Sequence, residues 1–316
     1  MFNPTTKKIK LTDDDFIFDV KNIHFSYINA IRRLTISHVE TICIDIITIE
    51  TNTTFLYDEF ICHKIGLIPI ICLNGFQLNH QFECECQQKE NKKKYENFPK
   101  CCEKCSVTFN LDKKCIGDKM TITSDDLISS NENVMTVSNY YKKIKESKMK
   151  DIDYEEELFS VYDPIVITNL GKNQELKLSA TSVKGIGWEH AKWSPVSSSY
   201  FYYEPEIIIN KKINKYEKEK KVLIESCPRK ILILNENKEV EINDHMKCNY
   251  CGHCKSILKN FFPQEPNFIS IEPKKEKEGF SFRYFIESNG SLTAKDIVLK
   301  AIDVCLKKLK TIEESI

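Results

Sequence analysis

Of the chain's 14 cysteines, Cys84, Cys86, Cys101, Cys102 and Cys105 form one cluster and Cys227, Cys248, Cys251 and Cys254 a second, and no other feature limits the fold so strongly. Segments that bring several thiols to one point cannot be long regular elements; they are loops closed by whatever the thiols hold. The N-terminal stretch MFNPTTKKIKLTDDDF lacks the apolar core of a signal peptide. The expected compartment therefore keeps thiols reduced, and both clusters read as metal sites before disulfides. The other five, Cys43, Cys62, Cys72, Cys115 and Cys305, stand singly, mostly among apolar neighbours, and read as buried small hydrophobes.

In KCNYCGHC, residues 247–254, Cys248, Cys251 and Cys254 are two residues apart. They match the first three places of the C-x2-C-x2-C-x3-C-P run of bacterial ferredoxins, in which the fourth cysteine serves the other cluster. Here that fourth place is Leu258. Upstream stands Cys227 followed by Pro228, and counting back from it by the same motif lands on Leu223, Lys220 and Glu217. One complete set of thiolates remains, that of a one-cluster ferredoxin-like module holding a [4Fe–4S] group; a four-cysteine zinc site is the alternative. KILILNENKEVEIN between the halves reads as a hairpin, and His245 and His253 as surface residues.

The first cluster offers Cys84 and Cys86 as C-x-C, then Cys102 and Cys105 as C-x2-C, across a long polar loop. Two close pairs of thiolates satisfy structural zinc. Cys101 is the spare, with a C-x3-C pair using Cys101 as the alternative; free reduced cysteines on a loop are the plainer reading.

Elsewhere, HFSYINAIRRLTISHV (24–39) places Phe25, Ile28, Ile31 and Leu34 at helical spacing, with Arg32 and Arg33 on another face. TICIDIITIETNTTF reads as a strand, alternating through Ile42, Ile44 and Ile46 before its phase slips towards Ile49. VIT and LGKNQELKLSAT read as a hairpin. The Lys-rich stretches QQKENKKKYENFPK and YYKKIKESKMKDIDYEEE read as solvated loops, and the one at 210–222 as a module border. SLTAKDIVLKAIDVCLKKLKTI opens on a capping box, Thr293 with Asp296, and carries an apolar stripe of Val298, Ala301, Ile302, Cys305, Leu309 and Ile312. Such a helix docks on its own domain or pairs with another chain.

The 46 basic and 46 acidic residues cancel, so no sequence-wide footprint for nucleic acid exists. The longest nearly apolar run, 65–73, is too short to span a bilayer. No phosphate loop, HExxH, nucleophile elbow or dinucleotide fingerprint is present, and no catalytic constellation emerges.

Three separated segments, NAIRRLTISHVETICIDIITIETNTTFLYDEFICHKIGLIPI, KNQELKLSATSVKGIGWEHAKWSPV and FRYFIESNGSLTAKDIVLKAIDVCLKKL, together resemble the α-like subunits of multisubunit RNA polymerase. The closest resemblance is to the form found in eukaryotic RNA polymerase II, with the archaeal D-type subunit and the bacterial α amino-terminal domain as more distant relatives. The resemblance implies an α+β fold: a discontinuous α-like dimerisation domain, an inserted β-rich domain and a small ferredoxin-like module. Its expected pieces are 1–41 and 265–316 for dimerisation, 42–205 for the β-rich domain with a zinc loop at 84–105, and 206–264 for the cysteine module.

It also implies a noncatalytic scaffold in the nucleus, meeting DNA only through the complex and no membrane, while magnesium-binding carboxylates of the largest subunit make RNA. Phe25, Ile28, Ile31, Arg32, Arg33 and the stripe Val298, Ala301, Ile302, Cys305 and Leu309 become interface residues. The helices face a smaller α-like subunit; Arg32, Arg33 and DEFICHKIGLIP face the second-largest subunit and the small zinc-binding subunits. Two departures stand out. Fourteen residues separate Cys86 from Cys101, more than is usual, and the second cysteine set resembles the archaeal subunit, whereas familiar polymerase II subunits lack it. Trp193 and the zinc loop favour polymerase II over the shared subunit of polymerases I and III. An iron–sulfur electron-transfer protein is the rival of another class.

Overall fold

The computed structural model describes residues 3–73, 75–88, 101–148, 163–264 and 268–316. In chain order the elements are β1 (Thr5–Leu11), β2 (Asp15–Ile23), α1 (Phe25–Ser37), β3 (Glu40–Asn52), α2 (Asp58–Gly66), β4 (Ile70–Cys72), α3 (Glu85–Gln88), β5 (Ser106–Lys114), β6 (Lys119–Thr123), β7 (Ile128–Ser129), β8 (Val134–Thr136) and α4 (Val137–Lys148). There follow β9 (Val166–Gly171), β10 (Glu175–Ile186), β11 (Val196–Tyr203), β12 (Pro205–Ile209), α5 (Glu217–Ser226), β13 (Leu232–Leu234), β14 (Val240–Ile242), α6 (His253–Phe261), β15 (Ile269–Pro273), β16 (Phe280–Ser288) and α7 (Ala294–Ser315). The fold is mixed α and β with antiparallel pairing in every ladder described. Strands β1, β2, β16 and β11 form a sheet in that order, joining N-terminal to late segments of the chain.

The chain divides into two compact units: residues 1–10, 17–29 and 200–285, and residues 11–16, 30–199 and 286–316. The second unit centres on the sheet β3-β10-β5-β7. Its core joins Ile44, Ile61, Ile65, Phe109, Leu111, Ile122, Leu176 and Leu178. Strand β3 explains its own irregular pattern. Its register against β10 jumps at Asp45 and again at Glu50, two bulges that each insert one residue. After the first, Ile47 and Ile49 continue the core face begun by Ile42 and Ile44. The phase thus slips at Asp45, before Ile46, earlier than the alternation predicts.

Two more expectations change. The segment before β10 does turn back, with Asn173 left-handed at φ 63° and the Gln174 amide donating to Gly171 O at 3.0 Å. The strands it joins take other neighbours, however: β9 pairs with β6, and β10 lies between β3 and β5. The second Lys-rich stretch begins inside helix α4, while its later part and KENKKKYENFPK lie outside the described residues.

In the first unit, Phe18 stacks on Tyr284, and Phe201 and Tyr203 meet Phe282. A second core there collects Ile213, Leu223, Leu258, Phe268 and Ile269 around helices α5 and α6. The hairpin read in KILILNENKEVEIN is present as β13 with β14. The 210–222 stretch is more than a border, because α5 buries Lys220, whose Nζ donates to Glu217 Oε1 at 3.1 Å and Lys238 O at 2.8 Å.

Candidate metal centres

The first centre is made by short, tight turns. Cys84 closes a single 3-10 turn, Gln81–Glu83, its amide bonded to Gln81 O, and Cys86 lies in α3. Cys102 and Cys105 bracket a turn in which the Cys105 and Ser106 amides both donate to Cys102 O at 2.9 Å, and Ser106 begins β5. The loop is thereby hung on the central sheet. Sulfur–sulfur distances are 3.5 Å for Cys84 to Cys102, 3.7 Å for Cys86 to Cys105 and 3.8 Å for Cys102 to Cys105. With zinc–sulfur bonds near 2.3 Å, a tetrahedron has edges of about 3.8 Å. The four thiols are already at that spacing and fit zinc. Among the described residues, this is the one group of metal-ligating side chains whose donor atoms all lie within 4.8 Å of one another.

The geometry puts Cys102 in the quartet and Cys101 beside it. Cys101 accepts from Gln81 Nε2 at 3.1 Å and packs against Cys43, Val183 and Trp193. Within the quartet, the backbone N–H of Lys104 and then the Cys84 thiol bring Cys102 down to about 7, whereas burial pushes Cys105 up. A cation in the centre would displace the remaining protons. The loop's approach is anchored by His80 Nε2 against Glu40 Oε1 at 3.0 Å, with Lys184 Nζ 2.6 Å from the other oxygen.

Sequence reading missed the support under this loop. Trp193 is buried, donates from Nε1 to Val183 O at 3.2 Å, and its carbonyl accepts from Thr41 Oγ1 at 2.6 Å. Lys192 reaches Ile44 O at 3.1 Å and pairs with Asp45, the bulged residue of β3. A Cβ on Gly185 would stand 2.5 Å from the Trp193 ring, and one on Gly187 only 2.2 Å from Ile36 O. The Gly-x-Gly of GIGWEHAKW is the signal that could have revealed this close packing.

The second centre is built differently. Cys227 caps α5, and Lys230, left-handed at φ 51°, bonds back to Cys227 O. Tyr250 at φ 56° and Gly252 at φ 72° reverse the loop between Cys248, Cys251 and Cys254. Gly252 then starts α6 with Cys254 in its first turn, where unpaired amides and the helix dipole favour a thiolate. Burial pushes the Cys248 and Cys254 thiols up, and the backbone N–H groups of Tyr250 and Lys255 work against that rise.

All four thiols line one small cleft, with an accessible volume of about 20 Å³, together with Pro228, Ile231, Leu232, Ile269 and Ile271. Thiols that face one cleft among apolar walls, without closing to the spacing of the first quartet, fit the wider sulfur spacing of an iron–sulfur core. Cys248 and Cys254 are buried, Cys227 half-buried and Cys251 exposed. The places a second cluster would have used are refilled: Leu223, Leu258 and Lys220 are buried, and only Glu217 faces water. His245 and His253 are exposed, His245 near Glu204 at 3.5 Å.

The expected interface residues fall into two groups. Ile28, Val298 and Ala301 are buried within the chain; Ile31, Arg32, Ile302 and Cys305 are half-buried; Phe25, Arg33, Leu309 and Ile312 are exposed. Helix α7 is capped by Thr293, whose Oγ1 accepts from the Asp296 amide at 3.2 Å. Its first turns bury Ala294, Ile297, Val298 and Ala301, and the same face runs on, uncovered, through Leu309 (57% exposed) and Ile312 (55%), flanked by Leu306.

A β-rich body carrying such a thiol loop, in a chain ending on a partly uncovered amphipathic helix, defines a class: residues 44–200 match the RNA polymerase Rpb3/RpoA insert domain. The RNA polymerase II subunit rpb3 of Dictyostelium discoideum is 33% identical over 98% of this chain and 94% of its own length. Subunit 3 of RNA polymerases II, IV and V of Arabidopsis thaliana is 35% identical over 99% and 91%. The archaeal subunit Rpo3 of Methanosphaera stadtmanae is 27% identical over 95% and 94%. The chain belongs to the Rpb3 family of α-like RNA polymerase subunits.

Proposed function

We propose that this chain is a noncatalytic assembly subunit of nuclear RNA polymerase II, pairing with a smaller α-like subunit to form the platform on which the large subunits are mounted. The observation that carries the reading is the uncovered run of α7. Leu306, Leu309 and Ile312 extend an apolar face whose earlier turns are buried, and a face of this kind is completed by a second helix. The surface around DEFICHKIGLIP and Arg33 is assigned to the second-largest subunit and the small zinc-binding subunits, with DNA met only through the complex. The division into a dimerisation domain (1–41 and 265–316), a β-rich insert (42–205) and a cysteine module (206–264) belongs to the same reading. So do zinc on Cys84, Cys86, Cys102 and Cys105 and one [4Fe–4S] group on Cys227, Cys248, Cys251 and Cys254. When bound, these groups supply cross-links between loops too short to hold a core of their own.

The test separates interface from core. Val298 and Ala301 are buried, so charging them would unfold the helix's own packing; Leu309→Asp with Ile312→Asp changes exposed positions. The double variant is expected to keep its melting temperature and to lose co-purification of the smaller α-like subunit. Unchanged association would refute the assignment.

A further inference from the structure

We propose that Cys101 is a reserve ligand of the first metal centre, taking the place of Cys102 when that thiolate leaves the metal. The inference rests on reading the quartet as a zinc site. A tetrahedral ion uses four thiolates, and the loop carries a fifth, Cys101, directly before one of them. Cys101 is not a bystander in the packing: Gln81 Nε2 donates to its sulfur at 3.1 Å, and Gln81 opens the turn that Cys84 closes. It is therefore held by the same loop that carries the quartet, one residue before Cys102.

Spacing makes exchange feasible. Cys101 and Cys102 share one peptide, so their Cα atoms are about 3.8 Å apart. That is also about the length of one edge of the sulfur tetrahedron. Rotation about this single peptide and the two side chains exchanges one sulfur for the other while Cys84, Cys86 and Cys105 keep their places. The resulting pair, Cys101 with Cys105, has a C-x3-C spacing, inside the two-to-four range used by structural zinc sites. The partners that Cys101 would leave are replaceable: Gln81 belongs to the same loop, and the neighbours Cys43, Val183 and Trp193 are held by their own strand and turn contacts. The centre thus retains its metal when one ligand position is blocked.

The experiment uses the full chain and measures bound metal in the wild type, C101S, C102S, C101S/C102S and C105S. The second cysteine set is the same in all five, so its metal is a constant background. C105S is expected to lose one zinc per chain relative to wild type. C102S is expected to keep that zinc, and its cobalt(II) form to keep the sulfur-to-metal charge-transfer intensity of a four-thiolate site. C101S also keeps it, whereas the double variant loses it. The proposal is overturned if C102S loses zinc as fully as C105S, if its cobalt spectrum shows one thiolate fewer, or if the double variant holds metal as well as C102S does. If C105S holds as much zinc as wild type, the zinc reading itself fails, and the reserve ligand fails with it.

Discussion

Two four-cysteine sets on one chain reach different ends. In the first, three of the sulfur pairs stand 3.5–3.8 Å apart and all four sulfurs lie within 4.8 Å, on turns hung from the central sheet. In the second, they line a small apolar cleft without closing to that spacing. Ligand type is the same in both; what differs is the distance at which the backbone holds the sulfurs from one another. Left-handed Tyr250 and Gly252 hold the second loop open, whereas the Cys102 turn folds the first one shut. Both sets share one device, a carboxylate gripped by a lysine and a histidine: Glu40 by Lys184 and His80, Glu204 by Lys274 and His245.

The sharpest way to break this contrast is to remove one buried thiol from each set. Cys254→Ser is expected to abolish iron and labile sulfide while zinc stays, and Cys105→Ser to do the reverse. Elemental analysis of anaerobically purified protein reads both. Metal ligation in small domains is worth on the order of 10 kcal/mol, so each loss should also open its loop to protease. Zinc alone in both sets would end the distinction. Next in size, Trp193→Ala should cost about 3–5 kcal/mol in urea unfolding, and Gly185→Ala, whose new methyl meets the Trp193 ring, about 1–3 kcal/mol. Both should speed chelator-driven loss from the first set and leave the second unchanged.

The smallest effect concerns pH. Burial tends to raise Glu40, but its hydrogen bonds to Lys184 and His80 outweigh that and hold it below the ordinary carboxylate value. Its folded value lies below its unfolded one, so the contribution is present above about pH 4.3 and is lost as pH falls through the folded value. Glu40→Gln should cost no more than about 1 kcal/mol at neutral pH, and the difference from wild type should shrink as the pH falls below the ordinary carboxylate range. Thermal melts across that range check it; a constant difference would remove the carboxylate from the account.

The cysteine spacings were enough to pick out both sets, because ligand geometry demands short-range patterns that survive in one dimension. The fourth ferredoxin position, Leu258, could be seen to be missing, but not that it had joined Leu223 and Lys220 inside a packed core. Helices α1 and α7 were legible from their periodicity and, for α7, its Thr293 cap. The bulge at Asp45 was not, because it depends on register against β10 and on Lys192, 147 residues further on. The partner strands of β9 and β10 escaped for the same reason: a turn can be read locally, whereas a ladder is chosen by burial across the sheet.

Helix α7 also acts as a lever. From Ala301, its last buried residue, to Ser315 the helix runs for 14 residues, a rod of about 21 Å. A tilt of about 10° at the root would move its tip by about 4 Å. The alanines at the root, Ala294 and Ala301, are wholly buried and leave no side chain to adjust. Larger residues there would re-aim the rod, so the aim of Leu309 and Ile312 is set by the packing of Ala294, Ile297, Val298 and Ala301, two turns and more away.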